Sequence, residues 1–309
     1  MKISSKLLIL ILLITFSSCI DDDSSQIIDN TPTTFEIISS SDEHNTLEQL
    51  LIQTNLDELL SNEVYTIFAP TDDAFAAIDT DALSDDDLTE ILLNHIFVGS
   101  AEISNLSNGY ISTLATEKIT GNQNNINMYV NVDGGITLNG VATITDENIN
   151  AINGVVHVID AVITIPNVTT FISSDIRLNT LFEALTRDDQ PDFIATLINS
   201  ENPAPFTVFC PTNDAFTVLL EELELTELAE IDSSQLMQTL NTHVLTSQLL
   251  REEDFETGTI TTLGDNFELD AALNLITDLN GRDINIIATN IQAGNGVLHI
   301  IDVVILAQQ

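Results

Sequence analysis

Four histidines recur in matched surroundings. His95 and His243 each close a helical run, and His157 and His299 each lie within an apolar strand segment. An imidazole can ligate zinc or move protons near neutral pH. A zinc site built on His95 and His157 would need a third ligand that no neighbouring pattern supplies, and H-E-x-x-H is absent. The spacing instead puts His95 on one face with Leu88, Ile91 and Leu92, and alternates His157 with valines. All four read as neutral core imidazoles held by hydrogen bonds. Cys210 has nothing basic beside it in sequence to lower its pKa, so it reads as a small buried hydrophobe.

Carboxylates are the other chemical resource. A glycosidase needs two of them facing one bond, but with 48 Asp and Glu some pairs meet by chance. The runs Asp21 to Asp23 and Asp85 to Asp87 could gather Ca²⁺, which wants several oxygens at once. No EF-hand pattern is present, and Asp85 to Asp87 sit behind Ser84 in a helix cap. With no G-x-S-x-G, Walker or Rossmann pattern either, the expectation is no catalytic residue, no metal site and no cofactor, Ca²⁺ being the one alternative. Lys and Arg number 7, so the net charge is −41. That excludes nucleic acid and anionic head groups as partners, because binding them depends on the missing cations.

These residues are positioned by a repeated unit. "TIFAPTDDAF" at 66–75 returns as "TVFCPTNDAF" at 207–216; Asn45-Thr46-Leu47 returns as Asn179-Thr180-Leu181, "LLNHIF" as "LNTHVL", and "NGVVHVIDAVI" at 153–163 as "NGVLHIIDVVI" at 295–305. The offsets are 134, 141, 148 and 142, so order is kept while loops change length. Two copies of this size are duplicated domains, since solenoid units are only ~20 to 50 residues long. The join falls near Pro166, with no Gly/Ser-rich tether.

The first motif reads as a strand-to-helix corner. Tyr65, Ile67 and Ala69 alternate with Thr66 and Phe68 in a buried strand, and Pro70 ends the ladder. Thr71 caps the helix that follows, Asp72 and Asp73 put charge at its positive end, and Pro70 with Phe75 have hydrophobic-staple spacing. Pro211, Thr212, Asp214 and Phe216 repeat the corner. The Asn-Gly motifs, Asn153-Gly154 and Asn295-Gly296, each open a central strand that carries the histidine and then Asp160 or Asp302, running from Val155 to Ile163 in the first copy.

The corner, the helix histidine and the Asn-Gly strand together resemble the fasciclin (FAS1) domain, twice over, from about Thr33 onward. The resemblance implies an α+β fold in which each domain is a β-wedge or sandwich packed with several α-helices, at residues 33–165 and 166–309. It also implies a non-catalytic adhesion or matrix-interaction module. Animal members often have Tyr before the helix histidine and use that region to bind receptors; here Asn94 and Thr242 stand there.

Residues 1–18 are expected to be a signal peptide: a basic start at Lys2 and Lys6, an apolar run at 7–14, then small residues. The run Phe16-Ser17-Ser18-Cys19 resembles a bacterial lipobox, implying lipidation at Cys19. The acidic spacer at 19–32 resembles the signal of surface-exposed outer-membrane lipoproteins of Bacteroidota. A lipidated Cys19 leaves Cys210 without a disulfide partner. The expected protein is a surface lipoprotein that binds an extracellular glycan or a surface or matrix protein and touches membrane only through its anchor. The alternatives are a hydrolytic surface enzyme working through carboxylates and a Ca²⁺-modulated periplasmic binding protein.

Overall fold

The computed structural model describes residues 30–61 and 63–308. The expected signal peptide and Cys19 lie outside them. The first half runs α1 (Thr34–Ser39), α2 (Asn45–Gln53), α3 (Leu56–Leu60), β1 (Tyr65–Pro70), α4 (Asp72–Phe75), α5 (Asp85–Leu93) and β2 (Ile96–Val98). It continues through β3 (Gly109–Thr116), β4 (Asn125–Asn131), β5 (Thr137–Leu138), β6 (Ala142–Ala151) and β7 (Gly154–Ile159).

The second half repeats that order: α6 (Val168–Ser174), α7 (Asn179–Leu185), α8 (Phe193–Leu197), β8 (Phe206–Pro211), α9 (Asn213–Glu222), α10 (Ser233–Thr242) and β9 (Val244–Thr246). Then come β10 (Gly258–Ile260), β11 (Phe267–Asp270), β12 (Leu275–Thr277), β13 (Asp283–Ala293) and β14 (Gly296–Ile301).

Each half builds a seven-stranded mixed sheet, in the orders β2-β1-β7-β6-β5-β4-β3 and β9-β8-β14-β13-β12-β11-β10. The one parallel pair in each, β1 with β7 and β8 with β14, occupies the second and third places from one edge. These strands are buried along their whole length. The alternation read from the sequence explains why: Tyr65, Ile67 and Ala69 join a core with the helices, while Phe68 points into a second core formed by Met128, Val130, Leu138 and Ile159. Val208 and Cys210 against Phe209 divide the second half in the same way. Cys210 thus replaces Ala69 in the helix-side core, and burial pushes its thiol pKa well up.

Two expectations need correction. The central strand does not run to Ile163; it stops at Ile159, because the Asp160 carboxylate takes the Thr143 N–H (2.6 Å) and the Ile163 N–H turns to His95. Asp302 and Ile305 end β14 in the same manner. Secondly, His95 and His243 lie beyond the last helical residues Leu93 and Thr242 rather than within the helices.

Candidate functional site

The repeated residues assemble from the corner outward. Thr71 and Thr212 accept from Ala74 N–H and Ala215 N–H as helix caps, and Asp73 and Asp214 stand exposed in the first turns. Pro70, Phe75, Pro211 and Phe216 are all buried. Asp72 does more than its place in the sequence suggests: its carboxylate accepts from Thr46 N–H (2.7 Å) and Asn45 Nδ2 (3.0 Å), capping α2 from across the fold. Asn213 accepts from Thr180 N–H (2.9 Å) in the second half. That shared task explains the recurrence of Asn-Thr-Leu at 45–47 and 179–181.

The Asn-Gly motifs are clamps. Asn153 accepts from Thr34 N–H and donates to the Leu60 carbonyl, tying the start of α1 to the end of α3. Asn295 ties Val168 to Leu197 and Asn199. Gly154 has φ +144°, and a Cβ there would lie 1.8 Å from the Tyr65 carbonyl oxygen; at Gly296 the corresponding distance to the Phe206 oxygen is 2.5 Å. Only glycine lets the parallel strands start this close.

All four histidines are buried. His95 Nδ1 donates to the Ile91 carbonyl (2.7 Å), one of the carbonyls the end of α5 leaves free, and its Nε2 accepts from Ile163 N–H (2.9 Å). His243 does the same between Thr239 and Ile305. A backbone N–H fixes Nε2 as an acceptor, so the ring is neutral with its proton on Nδ1. Burial lowers both pKa values to about 4. His157 uses the other tautomer: Nε2 donates to Ala101 and Nδ1 accepts from Asn148 N–H. His299 Nε2 donates to Leu250, and burial lowers its pKa to about 4. The His157 ring stacks on Phe68 and the His299 ring on Phe209.

Among the described residues no group of three or more His, Cys, Asp or Glu is arranged to hold a metal ion. Asp85 accepts from Gln53, and Asp87 from Ser84 and Lys118. The residues before the post-helix histidines are structural too. Asn94 is buried and donates to the Ile163 and Thr164 carbonyls, and the Thr242 hydroxyl accepts from Asp265 N–H.

What sequence motifs do not reveal is the junction between the halves. Tyr110 donates to the buried Asp175 carboxylate (2.9 Å), which also binds the Arg177 guanidinium (2.7 Å), and Tyr110 meets Phe171 edge-on at 5.3 Å. Burial, then the Asp175 charge, pushes the Tyr110 hydroxyl pKa well up. Tyr129, on β4, packs into the core of the second half and accepts from Ile176 N–H. Gln292 N–H donates to Asn127 Oδ1 (2.7 Å). Beside this contact lies a groove of about 390 Å³ with Leu83, Ile91, Ile126 and Ile165 as apolar walls and Gly294 of the second half at one end. Its polar groups are already engaged: Glu90 by Thr116, Glu117 by Thr120 and Asn124, and Lys118 by Asp87. The groove offers shape and apolar surface, with no poised nucleophile or base.

The fasciclin domain family model matches residues 42–166 and again 177–307. Transforming growth factor-beta-induced protein ig-h3 of Sus scrofa is 30% identical over 243 residues, covering 77% of this chain and 34% of that protein. Human periostin is 31% identical over 268 residues, 81% of this chain and 29% of periostin. The chain thus spans about a third of the length of these two relatives. Protein sll1483 of Synechocystis is 32% identical over 146 residues, 45% of this chain and 76% of that protein. In fold, the chain is similar to a FAS1 domain pair from the insect cell adhesion molecule Fasciclin I, with TM-score 0.53 and 18% identity over 84% of this chain and 96% of the pair. With two matches in series, two sheets of one topology and one set of capping, clamping and histidine contacts in each, the chain belongs to the fasciclin domain family as a tandem pair.

Proposed function

We propose that this chain is a non-catalytic surface lipoprotein whose tandem fasciclin domains attach it to extracellular polymers or to matrix or cell-surface proteins. The observation that carries this reading is the use of the repeated reactive side chains: all four histidines donate a ring N–H to backbone carbonyls, and the repeated Asp and Asn residues hold helix starts and turns. A fold so built presents surfaces and an apolar groove, which suits binding. The described solved pair of similar fold comes from a cell adhesion molecule, which supports the same class of role. Two domains packed side by side would engage a repeating polymer at raised effective concentration.

Cys19 would carry the lipid and the acidic spacer would hold the domains outside the outer membrane. In support, among the described residues no helix is long and apolar enough to cross a membrane. The test is a glycan and matrix-protein array probed with the soluble part, residues 33–309, with and without Ca²⁺. Saturable binding to an extracellular polymer or protein supports the reading. Turnover of glycans or esters by the purified protein, with no binding, would defeat it.

A further inference from the structure

The outer face of the second sheet carries an apolar patch that the first sheet lacks. Leu275 sits between Asp270 and Asn285 in the ladder, and Leu273, in the turn that precedes β12, and Ile287, on β13, lie two residues beyond that pair. The Ile286 N–H bond to the Asn274 carbonyl (3.0 Å) holds the two segments together there. Leu273 is 67% exposed and Ile287 54%, so neither contributes to the core. Ile287 is the extra residue in the β13 bulge between Ile286 and Ala288, and a bulge re-aims the side chain it carries. In the first half the corresponding positions hold Gly135, Thr137 and Thr145. Thr145, in the matching bulge, donates its hydroxyl to the Val158 carbonyl. The scaffold therefore works without aliphatic side chains at these positions, and the exposed Leu273 and Ile287 serve nothing internal, with the half-buried Leu275 beside them. Single exposed aliphatics are ordinary, but neighbouring ones inside a polar rim have the anatomy of an interface.

The rim is made of carboxylates. Asp270 adjoins Leu275; Asp302 binds Asn285 on its other side; Glu252 accepts from Asn274 and Thr289; Glu268 and Asp283 flank Thr277 one row away. All five Lys and Arg side chains among the described residues are paired with other carboxylates: Lys118, Arg177, Arg187, Arg251 and Arg282. Arg282, next to Asp283 in the chain, is turned to Glu222 and Asp278.

We propose that Leu273, Leu275 and Ile287 with their carboxylate rim dock a lysine- and arginine-rich polypeptide segment that carries aliphatic side chains, presented by an extracellular protein. Such a segment lays its apolar groups and methylene stems on the patch and sets its cationic heads against Asp270, Glu268, Asp283 and Glu252. A second copy of this chain is disfavoured by repulsion between two bodies of net charge −41. An anionic polymer is repelled by the same rim, and the face has no aromatic ring for a neutral sugar to stack on. The inference rests on the adhesion reading only for the setting of the partner, and it is independent of the groove.

The test uses the full chain and two labelled peptides of equal charge, Lys-Arg-Leu-Ile-Arg-Lys and Lys-Arg-Gly-Gly-Arg-Lys, followed by fluorescence anisotropy at several salt concentrations. The aliphatic peptide is expected to bind about tenfold more tightly than the glycine peptide, both weakening as salt rises. The triple variant L273S/L275T/I287T, and I287T alone as a milder substitution already present in the first half, should erase or reduce that preference at unchanged melting temperature. D270N should weaken both peptides. Equal affinity of the wild type for the two peptides, or an unchanged preference in the triple variant, would overturn the proposal. So would a dimer, or heparin binding, that disappears in the triple variant, since either assigns the face to another occupant. Failure of both peptides with array binding intact defeats this inference alone; absence of any array binding by the wild type defeats the adhesion reading.

Discussion

The two halves share their interior and diverge on their surfaces. The offset between repeats rises from 141 to 148 because α4 stops after four residues at Phe75, whereas α9 runs ten, from Asn213 to Glu222. After the shared Asp-Ala-Phe, the first copy continues Ala-Ala-Ile-Asp-Thr-Asp and the second Thr-Val-Leu-Leu-Glu-Glu, which keeps an apolar residue facing the core at helical spacing. The sheets differ likewise at Thr137 and Thr145 against Leu275 and Ile287. The clamp asparagines and glycines, the capping threonines and the histidine positions recur, although His299 Nδ1, among the described residues, has no counterpart of the Asn148 N–H that His157 Nδ1 accepts. The residues that folding requires recur in both halves, and the differences fall where folding does not need a particular side chain.

The most damaging way to break the shared part is to give a clamp glycine a side chain. Gly154→Ala should destabilise by more than about 3 kcal/mol, since neither φ nor the Tyr65 carbonyl can accommodate a Cβ. Gly296→Ala should cost less than its counterpart because its tightest contact is longer; urea unfolding of both variants measures the order. Phe75→Ala and Phe216→Ala should each cost about 3 to 5 kcal/mol. They lie in separate core clusters, so the double variant should lose the sum. Strong non-additivity would mean that the two cores are coupled across the junction.

Acid should act on both halves alike. Folded pKa values near 4 for His95, His243 and His299 lie below the ordinary 6.5 of the unfolded chain, so unfolding takes up protons between these limits. Their stabilisation is complete above pH 6.5 and is lost as pH falls toward 4, by about 3 kcal/mol per histidine. Melting temperature against pH should therefore drop over this window. The slope should be smaller for His243→Gln than for wild type once the variant's lower plateau is taken as reference. Smaller still is the junction: Tyr110→Phe removes one hydrogen bond to Asp175, which keeps Arg177. The cost is about 1 to 2 kcal/mol, read as a separation of two unfolding steps in calorimetry.

How far the sequence disclosed this depends on how local each cause is. The corner at 66–75, the capping threonines and the burial of the four histidines follow from neighbours a few residues apart, and they appear in the structure as expected. The cross-fold cap by Asp72, the clamp by Asn153 and the exit of the chain at Ile159 pair residues 26 to 119 positions apart. Periodicity carries no signal for such pairs, although the repetition itself marked the residues. The Tyr110 and Tyr129 contacts and the groove had no repeat to mark them, because each is made once, where one half meets the other.

The central claim is that the conserved-looking chemistry of the repeats is interior scaffolding, and histidine ¹⁵N NMR tests it most directly. Between pH 8 and 5 the His95, His243 and His299 rings should stay neutral, while His157 titrates below the ordinary imidazole range; the neutral forms should carry the proton on Nδ1 in His95 and His243 and on Nε2 in His157 and His299, and none should be shifted by added zinc. Imidazolium signals titrating near pH 6.5 from these residues, or zinc-dependent shifts at any of them, would contradict the account.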